Sequence, residues 1–216
     1  RSRPSRKASA KRASTRSCRV HIHIGAKGQP PQTLRNRANI MASHESLLAE
    51  ALNLDHYRMS RYCRTVDPRF LEQINRRKPT TMADLADIWY GSQGANYGRS
   101  HHYNDSRYHM LNLHATFTKG TVEFRLFQFD APGNGKRNGL HAGQLKSYIQ
   151  LCLALSQMAK TVRTASPQPQ QNENPKYAMR TGPLRRAFTG EAFQTPRAHM
   201  TPRPSGALPL PHANVA

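Results

Sequence analysis

The sequence predicts an α+β domain, an antiparallel sheet with helices packed on one face, between a basic N-terminal arm and a proline-rich C-terminal tail. Three observations carry this. Apolar residues alternate at period two in two distant stretches, CRVHIHIG (18–25) and TVEFRLF (121–127), whereas the segments between and after them repeat at helical spacing. Residues 1–19 hold eight Arg or Lys and no acidic residue. Nine of the fifteen prolines fall after Ser166.

Residues 1–17, RSRPSRKASAKRASTRS, contain no large apolar side chain and cannot build a core, so they are expected to be a disordered basic arm. A strand follows at Cys18–Gly25. Alternation puts His21 and His23 on one face and Val20, Ile22 and Ile24 on the other. Pro30-Pro31 leads into an amphipathic helix over 32–54, with a break expected near Ser43. Asp67-Pro68 reads as an N-cap with a first-turn proline, starting a short helix through Arg76. Thr80, Thr81 and Asp84 start another, which runs through Trp89 and stops at Gly91. The glycine-rich polar stretch 91–107 is long enough to point to a binding loop. YHMLNLHATFTKGTVEFRLFQFD (108–130) reads as two strands joined by a turn at Lys119-Gly120. Leu140–Val162 is the closing amphipathic helix. The organised domain is thus 18–165, and 166–216 is a largely disordered tail in which Gly182-Pro183 interrupts any long helix.

The formal charge of +21 would ordinarily suggest a polyanionic partner. Much of the imbalance sits in the arm, because residues 20–166 hold 19 basic and ten acidic residues. Three widely spaced cysteines, Cys18, Cys63 and Cys152, fit free thiols of a cytoplasmic protein better than a disulfide framework. No apolar run reaches membrane-spanning length, and no secretory signal pattern opens the chain.

A two-residue turn at Lys119-Gly120 pairs Glu123 with Thr116 and Arg125 with His114. One sheet face then collects Asn112, His114, Glu123 and Arg125, joined by His21 and His23. A solvated face with a cross-strand ion pair is the plain structural reading of such a set. The chemical reading is a site where imidazole and carboxylate share a divalent cation and an arginine fork holds phosphate or carboxylate. Zinc is the weaker proposal, since Cys18 would face away from His21 on an extended strand.

SCRVHIHIGAKG, DPRFLEQINRRKPTTMADLADIWYG, RYHMLNLHATFTKGTVEFRLF and YIQLCLALSQMA together resemble the amidoligase family of glutamine-synthetase-like carboxylate–amine ligases, over about residues 17–165. The resemblance implies a partial glutamine-synthetase-like catalytic domain and ATP-dependent amide or peptide-bond formation through an acyl phosphate. The cofactors it implies are ATP and Mg²⁺ or Mn²⁺, and the partners are a carboxylate substrate and an amine donor. Carried onto this chain, it makes His21 and Glu123 metal ligands, places His23 near the nucleotide phosphates, and gives Arg125 the phosphate or substrate. Glu123 and Arg125 are then the catalytic pair, with Asn112 and His114 supporting them.

Three departures from the family pattern stand out. Arg19 replaces the glycine after the cysteine, Gly182-Pro183 follows NPKYAMRT where a helix is expected, and residues 1–17 hold no acid to supply the family's E-x-E pair. They make a truncated copy the expectation. The alternatives are a basic nucleic-acid-binding protein or a catalytically dead nucleotide-binding remnant, and nonspecific polyanion binding is expected of the arm.

Overall fold

The computed structural model describes residues 19–52, 54–128 and 142–169. The basic arm, Cys18, the start of the last helix at Leu140 and the tail beyond 169 lie outside them. Among the described residues the chain is α+β. Strand β1 (Arg19–Gly25) is followed by helices α1 (Pro31–Ala51), α2 (His56–Arg61), α3 (Pro68–Arg77) and α4 (Met82–Ser92). Strand β2 (Leu111–Asn112), helix α5 (His114–Lys119), strand β3 (Thr121–Gln128) and helix α6 (Ala142–Thr161) complete it. The sheet order is β1-β3-β2, with both pairings antiparallel.

The central strand is β3, and its apolar residues set the register. Phe124 sits opposite Ile22 on β1 and Leu111 on β2, and Val122 sits opposite Ile24. A one-residue slip would exchange these for Glu123 and Arg125 and bury charge among aliphatics. Helix α1 supplies Leu34, Ala38, Met41 and Leu48 to the core, and α6 supplies Leu151, Cys152, Leu155 and Ala159. The two helices are also joined by polar groups. Asn36 Nδ2 donates to the Ala159 and Val162 carbonyls at 3.3 and 2.9 Å, capping the otherwise orphaned end of α6. Phe70 and Trp89 meet edge to face, centroids 4.9 Å apart, and fix α3 against α4. No helix among the described residues is long and apolar enough to cross a membrane.

The caps read from sequence are in place. Asp67 accepts from the Phe70 amide at 3.0 Å with Pro68 behind it, and Thr81 accepts from the Asp84 amide at 3.1 Å. Five expectations need correction. The stretch 108–118 is not a full strand: β2 is two residues long and His114–Lys119 is helical. Gly120 is therefore the left-handed C-cap of α5, at φ 70°, and no hairpin turn is formed there. Glu123 consequently pairs with Asn112 and not Thr116, and His114 leaves the sheet. Helix α1 is unbroken at Ser43, whose hydroxyl turns back onto the Ile40 carbonyl at 3.0 Å. Helix α4 passes through Gly91 to Ser92, held by the buried Ile88, Trp89 and Tyr90. Helix α2, unforeseen, is capped by Asp55 and buries only Arg58, so no apolar period announces it.

Candidate functional site

The site is built where β1 and β3 fall out of regular pairing. Val20 lies opposite Phe127 and Ile22 opposite Phe124, so His21 alone faces two β3 residues, Arg125 and Leu126. The register of Ile22 with Phe124 and His23 with Glu123 carries His21 toward Arg125 on the same face, and the bulge adds one residue to β3 beyond it. Glu123 lies at the centre. Its Oε1 accepts from Arg125 Nη1 at 2.8 Å and from His21 Nδ1 at 2.9 Å, and Oε2 accepts from Asn112 Nδ2 at 2.6 Å. His23 Nε2 is 3.8 Å from Oε1, while its Nδ1 is 2.8 Å from Thr121 Oγ1. The structure thus brings together His21, His23, Asn112, Glu123 and Arg125.

The carboxylate–guanidinium pair is not solvated, whereas His21 and His23 are partly exposed. Glu123 is 4 % exposed and Arg125 2 %. Burial alone would raise the Glu123 pKa, but the His21 hydrogen bond, the Arg125 charge and the Asn112 amide outweigh it and hold the carboxyl at about 2. Burial lowers the His23 pKa against the pull of Glu123, so its neutral form is favoured. The Arg125 backbone is pinned as well: its amide donates to the Met110 carbonyl at 2.8 Å, and its carbonyl accepts from Arg58 Nη2 at 2.8 Å. The guanidinium lies 5.5 Å from the centroid of the Tyr108 ring.

Three buried polar atoms of this cluster have no partner: His21 Nε2, Arg125 Nε and Asn112 Oδ1. Buried polar atoms are nearly always satisfied in a complete structure, so each of the three marks unused hydrogen-bonding capacity in the cluster. The surrounding charge is positive. Lys119, Arg125 and Arg107 all depress the ionisation of nearby imidazoles, Lys119 acting on His23 and Arg107 on His102 and His114.

His114 lies apart from the sheet face that the hairpin register gave it. It opens α5, buried, with Nδ1 2.7 Å from the Tyr90 hydroxyl. Its pKa is lowered, chiefly by burial. Among the described residues no group of three or more His, Cys, Asp or Glu is arranged to hold a metal ion. Arg58, Tyr108 and Arg107 were missed by sequence reasoning. Arg58 comes from α2 and Arg107 from the glycine-rich loop, where no period two or 3.6 flags a residue as inward-facing, and Tyr108 heads a segment read as strand that turns regular only at Leu111.

The fold and site define an α+β protein whose sheet carries a buried carboxylate–guanidinium pair beside two imidazoles. Residues 5–156 match the family model described as "putative amidoligase enzyme", and the chain belongs to that family. No curated protein and no solved structure matches the chain.

Proposed function

We propose that this ligase-like chain joins a carboxylate to an amine with ATP, on a catalytic domain of glutamine-synthetase-like design. The observation that carries the reading is the charge balance at Glu123. One carboxylate, already shared by His21 and Arg125, sits among Arg125, Arg107, Lys119 and the imidazoles. Such a set suits a polyphosphate, whose oxygens would take the unpaired Arg125 Nε and His21 Nε2. ATP, when bound, supplies the phosphoryl group that makes a carboxylate reactive toward an amine.

The fit to a divalent cation is narrower. Glu123 offers one carboxylate and His21 one imidazole nitrogen, and Mg²⁺ or Mn²⁺ prefers a largely oxygen shell. In this reading the cation arrives on the phosphates, and Glu123 with His21 holds its protein side. His23 contacts the phosphates, Arg125 the migrating group, and Asn112 fixes the free oxygen of Glu123. The chain's own contribution is placement and fixed charge. Residues 18–165 form the working domain, flanked by the arm 1–17 and the tail 166–216. Cytoplasmic residence belongs to the same reading, and the buried Cys152 thiol fits it.

Nucleotide binding without turnover is the second reading, favoured by Glu123 being the one carboxylate in the cluster among the described residues. The experiment is calorimetric titration of the chain with a non-hydrolysable ATP analogue and Mg²⁺, followed by phosphate release from ATP over a panel of carboxylates and amines. Metal-dependent binding with amine-dependent release supports the ligase. Binding without release supports the second reading, and no binding in the wild-type chain refutes both.

A further inference from the structure

A groove of about 450 Å³ opens on the β2 side of the sheet, lined by Ser60, Arg61, Tyr62, Arg64, Asp105 and Tyr108. One of its walls belongs to the site already described, because the Tyr108 ring also carries the Arg125 guanidinium at 5.5 Å. We propose that this groove binds the carboxylate substrate, an acidic amino acid or short acidic peptide, with Arg61 pairing its carboxylate. This rests on the ligase reading for what happens next, but the binding itself does not.

The charge of the groove is set by its arginines. Arg64 is splinted to the wall, its Nη2 donating to the Asp105 carbonyl at 3.2 Å and its Nε to the Tyr108 carbonyl at 3.4 Å. Arg61 is exposed, and its hydrogen bond is to a neutral group, the Tyr57 hydroxyl at 3.4 Å. Asp105, the acid in the lining, is engaged by the Tyr97 hydroxyl at 2.8 Å. A third guanidinium, that of Arg107, lies 5.6 Å from the Tyr108 ring. Positive charge therefore outweighs negative in a cleft of ordinary ligand-site volume. Tyr57, Tyr62 and Tyr108 form an edge-to-face row, with centroids 6.3 and 6.2 Å apart, and give the body of a ligand a rigid surface.

Position separates the acid from the nucleotide. The imidazoles His21 and His23 approach Glu123 from β1, whereas Tyr108 and the Met110 carbonyl approach Arg125 from the β2 edge. Phosphoryl transfer proceeds roughly in line, so the attacking oxygen must stand across the phosphorus from the leaving one. A nucleotide on the β1 side leaves the β2 groove to the acid.

The test uses the full chain and two variants, Arg61→Ala and, as a control for lost charge, Arg69→Ala on the exposed surface of α3. Glutamate, the dipeptide Glu-Glu and a non-hydrolysable ATP analogue with Mg²⁺ are titrated separately by calorimetry, with thermal melts confirming equal folding. The expected result is binding of Glu-Glu or glutamate that falls about tenfold or more in Arg61→Ala, the loss of one charged hydrogen bond. Arg69→Ala and the analogue's affinity should be unchanged. The proposal is overturned if neither acidic probe binds the wild-type chain, if Arg69→Ala weakens them equally, or if Arg61→Ala weakens the analogue instead. Failure of the analogue alone would sink the ligase reading and leave the groove standing.

Discussion

Arg125 and Glu123 stand two positions apart on β3, and their Nη1 and Oε1 atoms meet at 2.8 Å with both side chains nearly sealed from water. Same-face neighbours on a strand ordinarily diverge into solvent. Here β1 on one side and Asn112 on the other close over them, so the pair is part of the interior. A buried pair with further hydrogen bonds is far more sensitive to losing one member than a surface pair.

Glu123→Gln should therefore destabilise the protein by roughly 2–4 kcal/mol in chemical denaturation. The new amide presents a donor to a pocket whose three contacts, from His21, Arg125 and Asn112, are all donors. Adding Arg125→Met should restore part of the loss, because the uncompensated buried cation goes with it. A Glu123→Gln protein as stable as wild type would contradict the observed pairing.

Acid should act through the same carboxylate. Its folded pKa of about 2 lies below the ordinary 4.5, so its stabilisation is complete above 4.5 and fades as pH falls toward 2. The expected loss is on the order of 3 kcal/mol across that window. Comparing wild type with Glu123→Gln should give a difference in stability that shrinks as the pH is lowered through it.

Glu45 should behave in the opposite sense. It is buried, burial raises its pKa to about 7, and its Oε1 accepts from the Val66 amide at 2.7 Å. The folded state then holds a proton that the unfolded state has lost between 4.5 and about 7, so stability falls as pH rises through that range. Glu45→Gln keeps the acceptor and removes the charge. It should raise stability by roughly 1–3 kcal/mol at pH 8 and by little at pH 4. Equal effects at both pH values would show that burial of the charge is not the cause.

Much of the site was legible because alternation survives local error. His21, His23, Glu123 and Arg125 lie on β1 and β3, the two strands with clear period two, and β3 takes its register from β1 through Ile22 and Phe124. Asn112 kept its face because the register is displaced by four residues, an even number, so it lies opposite Glu123 where the hairpin turn would have put Thr116. His114 did not, and the reason is in its segment. HATFTK carries two β-branched threonines and a phenylalanine, which favour a strand locally, yet the chain folds it as one and a half turns of helix against β3. Gly120 could not decide the matter, since a hairpin turn and a helix C-cap both call for positive φ. Arg58 had no periodic signal at all, and Tyr108 precedes the short β2 in a segment read as strand, so tertiary packing alone brings the two to Arg125.

The arm yields a prediction from composition. Residues 1–17 hold seven of the 33 Lys and Arg and no acid. Their removal should weaken binding to a duplex of random sequence and flatten its dependence on salt, because fewer phosphate counterions are released. The melting temperature of the domain should hardly move. An unchanged salt slope would mean that the polyanion contacts lie on the folded surface instead.

Gly120 offers a test of how α5 ends. Its φ of 70° and ψ of 23° are left-handed helical, and its amide is shared between the Ala115 and Thr116 carbonyls. Its own carbonyl accepts from the Ala26 amide at 2.9 Å, tying the cap to the loop after β1. A Cβ built there meets nothing within 4 Å, so a side chain would not clash and backbone strain is the whole cost. Gly120→Ala should then lower stability by about 1 kcal/mol. Gly120→Asn should cost less, since asparagine tolerates this region, and Gly120→Val should cost more. Denaturant titration of the three variants reads the order directly. Equal stabilities across the series would mean that residue 120 is free of the left-handed conformation, and that α5 ends in some other way.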